Sequence, residues 1–180
     1  VSEEPESLRV ITRILEKTPC EVVLDAEAIP SIAQLGLPPQ GTQTEPRFLI
    51  TPNHAEMDEL IEGPLPQDPE EEQRIVEDFA QKWNVSILLK GPRSLVVSPG
   101  QPSRRNETGN AGMTVGGSGD VLAGYVSSLI AQHISPYDAA VCAAFIFGAV
   151  GDNLHRQKGN GLSATDLALE LPYTVHSLVS

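Results

Sequence analysis

Between residues 106 and 124 the chain reads NETGNAGMTVGGSGDVLAG, and this stretch holds the residues best suited to chemistry. Five glycines fall between Gly109 and Gly119. Asp120 then opens an apolar helical pattern through Val121, Leu122, Tyr125, Val126, Leu129 and Ile130. Gly116, Gly117, Ser118 and Gly119 at a helix start leave backbone N–H groups unpaired, and glycines, lacking Cβ, let a bound anion approach them closely. The helix dipole adds attraction for negative charge, so a phosphate site follows. Asp120 would only repel a phosphate that was merely bound. Its carboxylate makes sense as a base that takes the proton from an attacking hydroxyl while the N–H groups steady the phosphoryl group. The alternative is that Asp120 caps the helix and the glycines form a tight turn. The run is not a Walker A loop, because it lacks G-x-x-x-x-G-K-[ST]. Nor is it a dinucleotide fingerprint, which follows directly on a strand and has an acid about 20 residues further on.

The elements that must position this run are short strands alternating with helices. Apolar positions 8, 10, 11, 14 and 15 predict a helix over 8–17. Further helices are predicted over 53–61, with Asn53 as cap, and over 68–83, 118–132, 137–154 and 165–179. Short β-branched or apolar runs predict strands at 21–24, 47–50, 85–89 and 94–97. The last two flank the turn Lys90-Gly91-Pro92-Arg93. The Pro- and Gly-rich connection at 37–46 reads as a surface loop. Glu70, Glu71 and Glu72 open the 68–83 helix, where acids complement the dipole, and together they read as a solvated face. The order of elements predicts an α/β fold with a mostly parallel sheet covered on both faces. Four strands against this many helices leave the sheet looking incomplete.

Composition narrows the function classes. The 180 residues carry 12 basic and 24 acidic side chains, a net charge of −12, which argues against a protein built to grip nucleic-acid backbones. Nucleotide binding stays open, since backbone N–H groups and one or two cations suffice for a phosphate. With 40% hydrophobic residues a real core is expected. No segment reaches the roughly 20 apolar residues of a membrane span, and residues 1–7, VSEEPES, do not read as a signal peptide, so a cytoplasmic protein with no membrane partner is expected. Cys20 and Cys142 form no C-x-x-C pair and read as small buried hydrophobes in a reducing compartment. His54, His133, His155 and His176 lack metal-ligand spacing and read as surface or satisfied core residues.

The glycine-rich run resembles the C-terminal signature of the ribokinase-like fold, and its longer form is similar to that of the ADP/ATP-dependent NAD(P)H-hydrate dehydratases. Four other blocks agree in order: VLDAEA at 23–28, LITPNHAE at 49–56, LLKG at 88–91 and GLSATDL at 161–167. The resemblance implies a three-layer α/β/α catalytic domain over residues 1–180. It also implies that these residues are the C-terminal portion of the family's domain, with the N-terminal strands absent. A sheet edge left open in that way points to a homo-oligomer. The implied activity is repair of hydrated NADH or NADPH: the ring hydroxyl is phosphorylated from ADP or ATP, and phosphate then leaves. By resemblance Asp120 is the base, and the amides of Gly116, Gly117, Ser118 and Gly119 hold the phosphoryl group. Lys90, Gly91, Pro92, Arg93 and Ser94 would contact the nucleotide, or else form a plain hairpin turn. Asn53, Glu56 and Asp120 would contact the hydrated cofactor, with Asn53 also an ordinary helix cap. Asp25 and Glu56 either shape the site or assist a metal. Mg²⁺ is expected to arrive with the nucleotide, because phosphoryl transfer needs charge neutralisation and no dedicated ligand set is visible. Two alternatives remain. One is a ribokinase-like kinase of a small alcohol, a group that generally carries Cys where Asp120 stands. The other is a nucleotide-binding module without catalysis.

Overall fold

The computed structural model describes residues 6–32 and 46–180. Helix α1 (Glu6–Lys17) leads into strand β1 (Val22–Leu24), and β2 (Phe48–Ile50) is followed by α2 (His54–Leu60) and α3 (Pro69–Trp83). Strands β3 (Val85–Leu89), β4 (Leu95–Val97) and β5 (Arg104–Arg105) come next. Helices α4 (Ser118–Ile130), α5 (Pro136–Lys158) and α6 (Ala164–Val179) close the described chain. The strands form one sheet in the order β1-β2-β3-β4-β5. The first three run parallel, while β4 and β5 fold back antiparallel.

Side-chain alternation sends the apolar residues of β1 to β4 to two different cores. Ile50, Ile87, Leu89, Leu95 and Val97 face Leu15 of α1, Met57 of α2, and Val76, Phe79 and Ala80 of α3. Leu49, Leu88 and Val96 face the other way, onto Leu122 and Val126 of α4, a run of alanines and Phe147 on α5, and Leu167 of α6. Each fully buried Leu, Ile or Val contributes about 1.5–3 kcal/mol, so neither layer is dispensable. All five residues of β3 are buried, as a central strand covered on both faces requires. The expected three-layer α/β/α arrangement is therefore present, with β1 and β5 as the outer strands of the described sheet.

Several local expectations need correction. β5 joins the sheet through Arg104 and Arg105, a pair with no strand pattern of its own. Helix α5 runs on to Lys158, past the last apolar position at Leu154, because its final turn carries basic residues that suit a helix C-terminus. Cys20 and Cys142 are exposed instead of buried. Glu70 and Glu71 are exposed as a solvated face should be, but Glu72 is buried. The predicted loop at 37–46 lies outside the described residues except for Pro46. Among the described residues no helix is long and apolar enough to cross a membrane.

Candidate functional site

The parallel strands end on the same edge, and the residue just past each one is polar: Asp25 after β1, Thr51 after β2 and Lys90 after β3. In parallel α/β sheets ligands gather beyond the carboxyl ends of the strands, and here those residues bind one another. Asp25 Oδ1 accepts from Lys90 Nζ at 2.7 Å and from Thr51 Oγ1 at 2.7 Å. A second carboxylate, Glu56 Oε2, stands 3.8 Å from Lys90 Nζ. Asn53 begins α2 with a full capping box, its side chain accepting from the Glu56 N–H while Glu56 accepts from the Asn53 N–H. The backbone at Asn53 is also bridged to Lys90, and the Lys90 N–H donates to Pro52 O at 2.7 Å. One ammonium group thus lies between two carboxylates at the sheet edge, with all three side chains largely shielded from water.

The glycine elbow meets this cluster. Gly117 takes φ 86°, a left-handed conformation open to glycine at little cost, and serves as the N-cap of α4 with no side chain to offer. The Ser118 N–H is used inside the turn, donating to Val115 O, and the Val121 N–H donates to Gly117 O. The Gly119 and Asp120 N–H groups of the first turn are thereby left without a side-chain cap. A methyl group on Gly119 would lie 3.5 Å from Lys90 Nζ and 3.7 Å from Asp25 Oδ2, so the helix end and the ion pair touch. Asp120 is exposed, and its Oδ2 lies about over Gly117, 3.9 Å from where a methyl there would sit. Donor N–H groups, one ammonium and a solvent-facing carboxylate converge, which is the equipment for holding a phosphoryl group and removing a proton beside it.

The rest of the glycine-rich run anchors the elbow. Thr108 and Met113 press into α5 at Gly148 and Gly151, where a methyl group on either glycine would lie 2.1 Å from the intruding side chain. Asp152 of α5 accepts from the Gly109 N–H at 3.0 Å and from Asn110 Nδ2 at 2.9 Å, and Asn106 donates to Ala144 O. Asn106, Thr108, Gly109 and Asn110 therefore hold the loop, and the open donors lie further on, at Gly119 and Asp120. Of the other residues singled out from the sequence, Lys90 joins the elbow. Gly91 and Ser94 close a turn on themselves, with Ser94 Oγ donating to Gly91 O at 3.2 Å, and Pro92 and Arg93 are exposed on that turn. Gly116 is exposed, with open space around it. Among the described residues no three His, Cys, Asp or Glu side chains gather in a way that could hold a metal ion.

Residues 2–173 match the Carb_kinase family, described as NAD(P)H-hydrate dehydratase. The chain belongs to that family. It is similar to the ADP-dependent (S)-NAD(P)H-hydrate dehydratase of Cenarchaeum symbiosum, with 34% identity over 169 residues, 94% of this chain and 56% of that relative. The chain thus spans about half the length of this curated relative. The ribokinase-like superfamily protein EF1790 from Enterococcus faecalis V583 has the same fold, with a TM-score of 0.75 at 23% identity over 96% of this chain and 59% of that one. The ADP/ATP-dependent NAD(P)H-hydrate dehydratase from Bacillus subtilis, co-crystallised with ATP/Mg²⁺ and soaked with CoA, aligns with a TM-score of 0.66 and 26% identity. That match covers 88% of this chain and 56% of that one.

In this NAD(P)H-hydrate dehydratase family member, two features of the site escaped sequence reasoning. Thr51 is buried and ties Asp25 in place, and its signal was its position immediately after a parallel strand, shared with Asp25 and Lys90. The second is a chain of contacts at Glu72. Glu72 Oε1 pairs with His54 Nε2 at 2.8 Å, and Glu72 Oε2 accepts from Arg105 Nη1 at 2.8 Å. Glu72 shares a helix face with Val76 and Phe79, and that i, i+4, i+7 phase was the available clue.

Proposed function

We propose that this chain carries the catalytic part of a nucleotide-dependent NAD(P)H-hydrate dehydratase, with residues 1–180 acting as one ribokinase-like unit. The observation that carries the proposal is the exposed Asp120 in the first turn of a helix whose N-terminus has no side-chain cap and adjoins Lys90. ADP or ATP would supply the phosphoryl group. Its oxygens would be received by the Gly119 and Asp120 N–H groups and by Lys90, which turns to them from Asp25. Asp120 takes the proton from the hydroxyl of the hydrated nicotinamide ring as that oxygen forms its bond to phosphorus, and the bond to the nucleotide's leaving oxygen breaks. Phosphate then departs with the ring C–O bond, the neighbouring carbon gives up a proton, and the double bond of NADH or NADPH returns. Asn53 and Glu56, held by their capping box beside Lys90, line the side of the site where the ring would lie. Asp25 and Glu56, with hard carboxylate oxygens at this edge, would be the residues to hold a Mg²⁺ brought in with the nucleotide, which would supply neutralisation of phosphate charge.

The family match and the similarity to the two dehydratases named above support this proposal. It is tested with the full-length protein, hydrated NADH or NADPH, ADP or ATP, and Mg²⁺. The reduced-nicotinamide absorbance should return only when nucleotide is present. Phosphorylation of small alcohols with no recovery of that absorbance would make the protein a small-alcohol kinase instead. Nucleotide binding without either reaction would make it a binding module.

A further inference from the structure

The Glu72 contacts join β5, α3 and α2 and end on the turn that the proposed function gives to the nucleotide. Arg105, from β5, donates Nη1 to Glu72 Oε2 and Nη2 to Pro69 O, so it binds both the carboxylate and the start of α3. Glu72 is 8% exposed, and a carboxylate buried that far needs its partners, since an unpaired buried charge is strongly destabilising. Its other oxygen holds His54 at 2.8 Å. His54 is the first residue of α2, directly after Asn53. Its ring edge faces the glycine that follows Lys90: a methyl group on Gly91 would lie 2.7 Å from His54 Cε1 and 3.3 Å from Nδ1. Real Cβ atoms do not approach so closely, so the imidazole occupies the room a side chain at position 91 would need. The ring is about half exposed, so the fold's core does not require it there.

We propose that Arg105, Glu72 and His54 form a clamp that presses the imidazole against Gly91 and keeps the turn from Lys90 to Ser94 in its nucleotide-receiving shape. His54 is thus a positioning residue for nucleotide binding and not a chemical participant. The inference rests on the proposed function, in which this turn meets the nucleotide. The clamp explains why a glycine stands at position 91 although its φ is not in the left-handed region: the constraint is the space His54 takes.

The test measures ADP and ATP dissociation constants by calorimetry, together with kcat and KM for nucleotide, on the full-length protein and on Gly91→Ala, His54→Ala and the double variant. Gly91→Ala must displace the half-exposed ring or the turn, and should weaken nucleotide binding several-fold, about as much as removing the imidazole does. His54→Ala should raise the nucleotide KM several-fold and leave kcat within about twofold, as expected when binding rather than chemistry is touched. In the double variant the clash is gone, so adding Gly91→Ala to His54→Ala should cost less than about twofold, a non-additivity that a general loss of stability would not produce. Equal nucleotide constants for wild type and His54→Ala, or a double variant as weak as the two single losses combined, would overturn the clamp while turnover by the wild type left the proposed function intact. Failure of the wild type to bind either nucleotide would instead remove the proposed function, and the clamp with it. Thermal unfolding of each variant identifies any that does not fold, and His54→Ala, at a half-exposed site, serves if Gly91→Ala is lost that way.

Discussion

Helices α2 and α4 both start at the carboxyl edge of the sheet, and their ends are finished in opposite ways. At Asn53 the chain closes the helix end completely: side chain and backbone exchange two hydrogen bonds with Glu56. At Gly117 the chain has the same orphan N–H groups to satisfy and supplies no side chain for them. Asp68, Ser135 and Ser163 cap α3, α5 and α6 in the ordinary way, so the exception is local. A side-chain cap is typically worth about 1 kcal/mol, and forgoing it keeps donors free for a ligand. The difference teaches that stability was given up at the α4 end, where Gly119 meets the Asp25–Lys90 ion pair, and kept at the N-termini of α2, α3, α5 and α6.

The largest effect should come from Asp120, the base of the proposed reaction. Asp120→Asn keeps the shape and removes the base, so turnover should fall about 10²–10⁴-fold in a nicotinamide-absorbance assay. Nucleotide affinity should hold or rise, because a negative charge beside the phosphate has gone. A fully active Asp120→Asn enzyme would reduce the open end to an unusual turn. Next is the elbow itself. Gly117→Ala forces a Cβ into φ 86° and within 3.3 Å of Ala164 Cβ, and should cost about 1–2 kcal/mol in urea unfolding along with nucleotide affinity. Gly116→Ala, with no positive φ and nothing within 4 Å of the new methyl, should be close to neutral, and equal losses at both glycines would break the comparison. The smallest effect concerns a closed end. The hydrogen bond from Lys158, followed by those from the Ser163 backbone and hydroxyl, lowers Asp166 from 3.8 to about 2. A carboxyl with a depressed folded value stabilises fully above its ordinary value and loses that contribution as pH falls towards the folded one. The melting temperature should therefore drop between pH 3.8 and 2 in part through this box, and Asp166→Asn should flatten that part of the profile.

Much of this is legible in the amino-acid sequence. Short apolar, β-branched runs such as VSILL and the helical stripe from Val121 to Ile130 give their element types directly, the first as a strand buried on both faces and the second by its helical spacing. The density of glycines before Asp120 pointed to an anion-binding helix start, and the structure places Asp120 in an exposed first turn. The two-residue β5 and the burial of Glu72 were not legible to the same degree. Arg104 and Arg105 carry no strand signal, and the local pattern Glu70-Glu71-Glu72 looks the same for its exposed and its buried members. Cys20 and Cys142 were read from average burial, which says nothing about which face of a given helix or loop they occupy.

The sequence by itself determined which residues could do chemistry and which helix would present them, because residue type, glycine content and hydrophobic period act over a few neighbouring positions. Only the tertiary structure decided that Asp25, Thr51 and Lys90 converge on Gly119, and that Arg105 reaches His54 through Glu72. Those meetings join residues tens of positions apart, and they follow from strand order, register and packing against the sheet, which no local pattern encodes.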